Sequence, residues 1–217
     1  MEPELIIFDC DGVLVNSEHI AVRIDQEFLL EIGIHMTPEE IIENFVGKSD
    51  EYFQNEIEKL NGTKLPSNWK SDLASRYHQA FLTELQPVEG VLEVLESVKV
   101  PICVASSGSQ KKIRISLELT GLIQYFGENI FSAEQVNNGK PEPELFLFAA
   151  AKMGVDPARA VVVEDSRAGV QAGLAAQMQV FAYSGSVTPK DRLQLPGATI
   201  FDKMEQLLPA INALTAK

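Results

Sequence analysis

The stretch that decides the fold is Leu5-Ile6-Ile7-Phe8 followed by Asp9-Cys10-Asp11-Gly12-Val13. Four consecutive apolar residues predict a short strand that is buried on both faces. Two carboxylates, two residues apart at the end of such a strand, repel each other unless a metal ion or a lysine offsets their charge. Gly12 allows a sharp turn directly after the pair. The stretch therefore predicts a site for a hard cation such as Mg²⁺, although an aspartate at a strand end can also form a turn or cap a helix.

Further apolar runs extend this strand into a sheet. Five of them predict strands, and most are continuous rather than alternating, which is typical of a parallel sheet covered on both faces. They are Val100–Ala105, Asn129–Phe131, Ala160–Val163, Gln179–Tyr183 and Thr199–Phe201. Helical patterns lie between these runs, as in an α/β fold with right-handed crossovers.

The segment between the first two predicted strands has a different pattern. From Ser17 to about Gln86 the apolar residues follow a helical period. Four helices fit this segment: Glu18–Glu31, Pro38–Val46, Asp50–Leu60 and Asn68–Leu85. We expect a helical bundle domain over residues 17–86, inserted into a core domain formed by residues 1–16 and 87–217.

Composition limits the partners of this chain. Among its 217 residues, 31 are acidic and 18 are Lys or Arg, which gives a formal net charge of −13. This balance argues against nucleic acid or an anionic membrane as the main partner, because both bind clustered cations. The N-terminal sequence lacks the basic start of a signal peptide, and no stretch approaches the roughly 20 apolar residues of a membrane span. We expect a cytoplasmic protein, with a monomer as the default state.

Polar residues follow three other predicted strands. Ser106-Ser107-Gly108-Ser109 follows the second strand and resembles a phosphate cradle, although it also fits an ordinary helix cap. Lys140 lies in the loop after the third strand, where Pro141 favours an extended conformation for it, although most loop lysines are solvated. Glu164 and Asp165 follow the fourth strand. Because ligands bind at the carboxyl ends of parallel strands, these residues together predict a site for a metal ion and a phosphate group.

Taken in order, these segments resemble the four motifs of the haloacid dehalogenase superfamily of phosphotransferases. Asp9 and Asp11 match the first motif, Ser106 the second, Lys140 in KPEPELF the third, and Glu164-Asp165 in VEDSRAG the fourth. The resemblance covers nearly the whole chain and is strongest to the branch of β-phosphoglucomutase-like proteins and sugar phosphatases. It implies a Rossmann-like parallel sheet core, with the helical segment as an α-helical cap domain.

The resemblance also implies a role for each acidic residue. Asp9 would attack phosphorus and form a phospho-aspartate, and Asp11 would act as general acid and then as general base. Mg²⁺ would be held by the Asp9 carboxylate, the Asp11 backbone carbonyl and Asp165, with Glu164 close by. A dehalogenase lacks an acid at the position of Asp11, so the resemblance favours phosphoryl chemistry.

The remaining implied contacts concern the phosphate and the substrate. Ser106 and Lys140 would hold the transferring phosphoryl oxygens, and the backbone near Ser107 would add N–H donors. Asn16 and Lys48 are candidates for contact with the substrate. The expected substrates are small phosphorylated metabolites, above all sugar phosphates.

Two alternatives to a phosphatase stay open at this point. A sugar phosphomutase of this branch carries a histidine where this chain has Ala21, and cap-loop cations where it has Val46 and Asp50. These differences favour transfer to water. The other alternative is a non-catalytic phosphate-binding protein, which would not need a nucleophile and an acid at Asp9 and Asp11.

Overall fold

The computed structural model of the protein describes residues 3–214, so the first two and the last three residues of the predicted core lie outside the described range. The chain divides into two compact units. Ser17–Leu85 form the first, which we call the helical unit. The described residues of Met1–Asn16 and Gln86–Lys217 form the second, which we call the sheet unit. Within the described range no helix is long and apolar enough to cross a membrane.

The helical unit consists of four helices, each close to its predicted position. They are α1 (Ser17–Glu31), α2 (Pro38–Phe45), α3 (Asp50–Asn61) and α4 (Trp69–Glu84). Thr37 caps α2 through a reciprocal pair of hydrogen bonds with Glu40, which satisfies two backbone donors at the helix start. Aromatic rings fill the interior: Phe53 stacks on Trp69 with centroids 5.5 Å apart and meets Phe45 edge-on at 4.8 Å.

The sheet unit is built on a parallel sheet, which the described residues form with six strands. These are β1 (Leu5–Phe8), β2 (Ile102–Ser106), β3 (Ile130–Ser132), β4 (Ala160–Glu164), β5 (Gln179–Tyr183) and β6 (Ala198–Phe201). Their order is β3-β2-β1-β4-β5-β6, and every neighbouring pair is parallel. The predicted Rossmann-like α/β fold is confirmed. Because β1 lies between β2 and β4, the strand order reverses beside it, and this reversal opens a crevice at the carboxyl ends.

Seven helices flank the strands. They are α5 (Val91–Ser97), α6 (Gln110–Leu119), α7 (Ile123–Phe126), α8 (Glu144–Met153), α9 (Arg167–Ala175), α10 (Lys190–Leu193) and α11 (Leu207–Ala213), as far as the chain is described. The four-residue helices α7 and α10 were not predicted, since one turn is too short to show a helical period. All four residues of β1 are at most 2% exposed, as a strand covered on both faces requires.

Candidate active site

The register of the sheet brings the ends of three strands together. Phe8, the last residue of β1, pairs with Val104 of β2 and with Val163 of β4. The Asp9 backbone N–H then donates to the Val163 carbonyl at 2.9 Å, so Asp9 lies level with Glu164 at the end of β4. Asp9 is 7% exposed and Glu164 is 1% exposed. Two buried carboxylates therefore lie side by side at the point where the strand order reverses.

Lys140 lies between these two carboxylates. Its ammonium group donates to Asp9 Oδ1 at 2.5 Å, to Glu164 Oε1 at 2.6 Å and to the Ala105 carbonyl at 3.0 Å. The Lys140 side chain is 4% exposed, and its ammonium lies 4.9 Å from the centre of the Phe146 ring. An ammonium has three donors, so each of them has an acceptor here. The loop lysine is held in place inside the sheet unit, and its peptide bond to Pro141 is cis.

The protonation of this triad follows from burial and from the opposing charges. Burial raises the pKa of the Asp9 carboxyl to about 7; the Lys140 ammonium acts against this shift and Glu164 adds to it. For Lys140, burial favours the neutral amine, but the Asp9 and Glu164 carboxylates outweigh burial and raise the pKa above its usual value. Lys140 is therefore a permanent cation at the carboxyl end of β1.

Glu164 uses both of its carboxylate oxygens within the sheet unit. Oε1 accepts from Lys140, and Oε2 accepts from the Ser166 backbone N–H at 2.7 Å and from the Ser166 hydroxyl at 2.9 Å. A Cβ atom at Gly169 would lie 1.8 Å from Oε1, so α9 can pass this close only with a glycine at that position. In this arrangement Glu164 orients Lys140. The expectation that Glu164 also takes part in metal binding stays a prediction.

Asp11 has a partner that the sequence reasoning missed. The Lys112 ammonium donates to Asp11 Oδ2 at 2.8 Å, although the two residues are 101 positions apart. The Asp11 side chain is 18% exposed and that of Lys112 is 44% exposed. Lys112 lies in the first turn of α6, whose N-cap Ser109 follows the β2 strand end. In the sequence, only the closeness of Lys112 to the serine turn pointed to this contact.

The turn after β2 is tied together by serine hydroxyls. Ser106 is 2% exposed, and its Oγ accepts from the Gly108 backbone N–H at 3.2 Å. The Ser132 hydroxyl at the end of β3 donates to the Gly108 carbonyl at 2.6 Å. Ser107 lies at the tip of this turn and is exposed. The turn thus presents the exposed Ser107 at the carboxyl edge of the sheet, next to the first turn of α6.

A small cradle lies beside Gly12. This glycine has φ of +77°, and a Cβ atom added to it would lie 2.0 Å from Asp165 Oδ2 and 2.7 Å from Ser186 Oγ. Asp165 is 4% exposed. The Ser186 hydroxyl oxygen is buried and has no hydrogen-bond partner among the described residues. Such an oxygen beside a buried carboxylate is a polar position that a hydrated ion would satisfy.

The charges around this cradle suit a divalent cation. Four carboxylates, those of Asp9, Asp11, Glu164 and Asp165, lie near the ends of β1 and β4, against the two ammonium groups of Lys112 and Lys140. Among the described residues no three His, Cys, Asp or Glu side chains form a metal cage. Mg²⁺ does not need one, because it keeps several waters and binds through one or two carboxylates and a substrate phosphate. The donor set therefore fits Mg²⁺.

Two of the predicted substrate contacts, Asn16 and Lys48, have neighbours within their own units. Asn16 is tied to the returning chain: its Oδ1 accepts from the Gln86 backbone N–H at 2.9 Å, and its own N–H donates to the Gln86 carbonyl at 3.0 Å. Lys48 is an exposed residue of the helical unit, and its ammonium lies 5.5 Å from the centre of the Tyr52 ring. Contact of either residue with a substrate stays a prediction.

The helical unit contains a cavity of its own, of about 260 Å³. Its lining includes Lys48, Ser49, Lys70 and aromatic rings. Asp25 on α1 also lines this cavity. The Tyr77 hydroxyl donates to Asp25 Oδ1, and burial raises the pKa of the Asp25 carboxyl to about 6. Sequence reasoning missed this carboxylate, because a single aspartate on a helix has no distinguishing pattern.

Comparison with known proteins identifies relatives of this chain. The sequence profile of haloacid dehalogenase-like hydrolases matches residues 6–183. The 6-phosphogluconate phosphatase of Escherichia coli (strain K12) is 31% identical over 209 residues, covering 94% of this chain and 92% of that protein. The phosphorylated carbohydrates phosphatase of Thermotoga maritima is 30% identical over 214 residues, covering 96% of this chain and 98% of that protein.

A solved structure shows the same fold over the full length. The crystal structure of a haloacid dehalogenase-like protein from Agrobacterium tumefaciens (strain C58) matches with a TM-score of 0.90 and 35% identity, and the match covers 99% of each chain. The sequence profile spans most of the chain and includes β1 to β5, whose carboxyl ends carry the residues described above. The protein is thus a phosphomonoester hydrolase, and it belongs to the family of haloacid dehalogenase-like hydrolases.

Proposed function

We propose that the protein is a Mg²⁺-dependent phosphatase that hydrolyses small phosphorylated metabolites, above all sugar phosphates, through a phospho-aspartate on Asp9. The observation that carries this proposal is the buried triad of Asp9, Lys140 and Glu164 at the reversal of the strand order. Asp11 follows Asp9 in the loop after β1. The names of two relatives that match nearly the full length, a 6-phosphogluconate phosphatase and a phosphorylated carbohydrates phosphatase, support the substrate class.

In the first step the Asp9 carboxylate attacks phosphorus and the ester bond to the leaving oxygen breaks. Asp11 gives its proton to that oxygen, so that an alcohol leaves rather than an alkoxide. Lys140 holds Asp9 in place through the 2.5 Å contact and offers positive charge to the transferring phosphoryl group. Ser106 at the end of β2 and the N–H groups of the following turn hold the phosphoryl oxygens.

In the second step water attacks the phosphorus of the phospho-aspartate. Asp11, now a carboxylate, accepts the proton of the water, and the bond between phosphorus and the Asp9 oxygen breaks. Inorganic phosphate and the free Asp9 carboxylate are the products. The same side chain thus serves both steps, in opposite protonation states.

Mg²⁺, when bound, would supply positive charge to the phosphoryl oxygens. The Asp9 carboxylate, the Asp11 carbonyl and Asp165 would hold it, and Glu164 lies close by. The Gly12 cradle supports this assignment, because only a glycine leaves Asp165 Oδ2 the space it occupies.

Three further points stay predictions. We expect Lys48, Asn16 and Ser107 to contact the substrate. We expect transfer to water rather than to a second sugar hydroxyl, because Ala21 stands where a mutase has its histidine. A cytoplasmic location is likewise expected, with a monomer as the default state.

The test is phosphate release from a panel of sugar phosphates and other metabolite phosphates, with Mg²⁺ and with EDTA. We expect release that depends on the metal and is abolished in Asp9→Asn. Asp191→Asn is the matched control, because Asp191 is an exposed residue of the sheet unit, and it should keep full activity. Conversion of β-glucose 1-phosphate without net phosphate release would show a mutase instead. Binding of Mg²⁺ and phosphate without any turnover would show a binding protein.

A further inference from the structure

The contact between Lys112 and Asp11 joins α6 to the loop that follows β1. The Nζ–Oδ2 distance of 2.8 Å is that of a charge-assisted hydrogen bond. Because Lys112 is 44% exposed, such a pair contributes little to stability on its own. It does, however, fix one carboxylate oxygen of Asp11 and with it the orientation of the group.

The position of Lys112 is set by its own helix. The Ser109 hydroxyl accepts from the Lys112 backbone N–H at 3.2 Å, so the residue belongs to the capped first turn of α6. Gly108 lies beside the stem of this side chain: a Cβ atom there would be 3.5 Å from Lys112 Cδ. The ammonium therefore reaches Asp11 from a fixed helix start rather than from a mobile loop.

We propose that Lys112 is a positioning residue that orients the Asp11 carboxylate for hydrolysis of the phosphoenzyme. This role rests on the function proposed above, in which Asp11 accepts a proton from water. The ion pair is an interaction of the carboxylate form of Asp11, and that is the form that acts as the base in this step. With the ammonium holding Oδ2, the carboxylate keeps a single orientation towards the attacking water.

The step that Lys112 serves is balanced without any further reactant. The water oxygen forms a bond to phosphorus, and the bond between phosphorus and the Asp9 oxygen breaks. One proton of the water passes to the Asp11 carboxylate, and Lys112 itself neither gains nor loses a proton. Its removal should therefore slow dephosphorylation without blocking formation of the phospho-aspartate.

The experiment is rapid-mixing kinetics with p-nitrophenyl phosphate, whose leaving group departs without protonation, so that the first step does not depend on Asp11. For Lys112→Met we expect kcat to fall about tenfold and KM to fall in proportion, which leaves kcat/KM unchanged. A burst of p-nitrophenol equal to the enzyme concentration should precede the slow steady state. Lys112→Arg should restore most of kcat, and Lys111→Met, a change of the neighbouring exposed lysine, should behave as wild type.

Each other result speaks against the proposal. An unchanged kcat in Lys112→Met would show that the contact has no role in turnover. A raised KM at unchanged kcat would show that Lys112 contacts the substrate rather than positioning Asp11. A loss of kcat/KM without a burst would show a structural role. If wild type released no phosphate, or Asp9→Asn kept its activity, the proposed function would fail and the role of Lys112 with it.

Discussion

Each unit of the protein contains a carboxylate that is largely removed from water, and the two are compensated in different ways. In the sheet unit Asp9 meets the Lys140 ammonium at 2.5 Å. In the helical unit Asp25 accepts a hydrogen bond from the Tyr77 hydroxyl, a neutral donor. Burial raises the pKa of both carboxyls, to about 7 for Asp9 and to about 6 for Asp25.

The difference lies in what happens when a partner is removed. Lys140 is the cation that contacts both buried carboxylates, so its removal leaves their charge without compensation inside the protein. Asp25 can instead avoid the cost of burial by keeping its proton, which a phenol hydroxyl does not prevent. Removal of the cation should therefore destabilise the triad strongly. The contribution of the Asp25–Tyr77 pair to stability should instead depend mainly on pH.

The largest effect is expected from Lys140→Met. The variant leaves Asp9 and Glu164 buried beside each other without a cation, and we expect the free energy of unfolding to fall by about 3–5 kcal/mol. Phosphate release should fall at least about a hundredfold, because the proposed mechanism loses the cation that would face the phosphoryl group. Urea denaturation and activity assays check this. The control is Lys152→Met, which removes an exposed lysine of α8 and should change neither quantity; equal losses in the two variants would contradict the argument.

The second prediction concerns the packing around Glu164, one of the two buried carboxylates of the triad. It changes the space beside this carboxylate without changing any charge. Gly169→Ala places a Cβ atom 1.8 Å from Glu164 Oε1, and Glu164 cannot move without giving up Lys140 or Ser166. We expect a loss of about 3 kcal/mol in the free energy of unfolding, at the upper end of overpacking effects. Gly139→Ala is the matched control, since the atom nearest to the added Cβ would be Ala133 Cβ, at 3.5 Å. A stability of Gly169→Ala equal to that of Gly139→Ala would mean that Glu164 is not held as described.

The sequence predicted the sheet and its strand ends because several local signals agreed there. A continuous apolar run followed by Asp9 and Asp11 predicts a buried strand and a polar end without knowledge of any partner. The same holds for Ala160–Val163 followed by Glu164 and Asp165. Because parallel strands end at one edge, the residues at those ends can be placed together before the structure is known.

Other contacts could not be predicted, because they depend on how distant elements pack. The pairing of Lys112 with Asp11 requires the start of α6 to face the loop after β1, and no pattern along the chain records this. The same is true of Asp25 and Tyr77, which lie 52 positions apart on two helices. The hydrogen bond from the Gln86 backbone N–H to Asn16 Oδ1 was missed for the same reason, while contact of Asn16 with the substrate stays a prediction. Sequence periodicity predicts helix faces but not which side chains meet across them.

The next prediction concerns pH and the helical unit. The pKa of the Asp25 carboxyl is raised from 3.8 to about 6, so the folded state keeps a proton that the unfolded chain releases between these values. Its contribution to stability is thus fully present below pH 3.8 and is lost as pH rises through about 6. The amide introduced by Asp25→Asn does not titrate, so the stability of this variant relative to wild type should rise by about 2 kcal/mol from pH 4 to pH 7.

Denaturation curves at several pH values measure this difference. The charged groups that line the same cavity, Lys48, Asp50 and Lys70, stay unchanged in the variant and act on both proteins alike. Glu51→Gln, at an exposed position of α3, is the control and should give a difference that does not vary with pH between 5 and 7. A flat difference for Asp25→Asn would show that this carboxylate is solvated in solution.

The smallest effect is expected at a second cluster, which also joins one cation to two carboxylates but lies at the surface. The Arg76 guanidinium contacts Glu31 at 2.6 Å and Asp72 at 2.9 Å, so that one cation again serves two carboxylates. These side chains are 31%, 56% and 41% exposed, and water and salt therefore screen their charges. We expect Arg76→Met to lower the free energy of unfolding by only a minor fraction of the Lys140→Met loss, and the loss should shrink further at high salt. Because a buried pair is screened much less, the loss in Lys140→Met should persist at high salt. If both losses responded to salt alike, burial would not be what separates the two clusters.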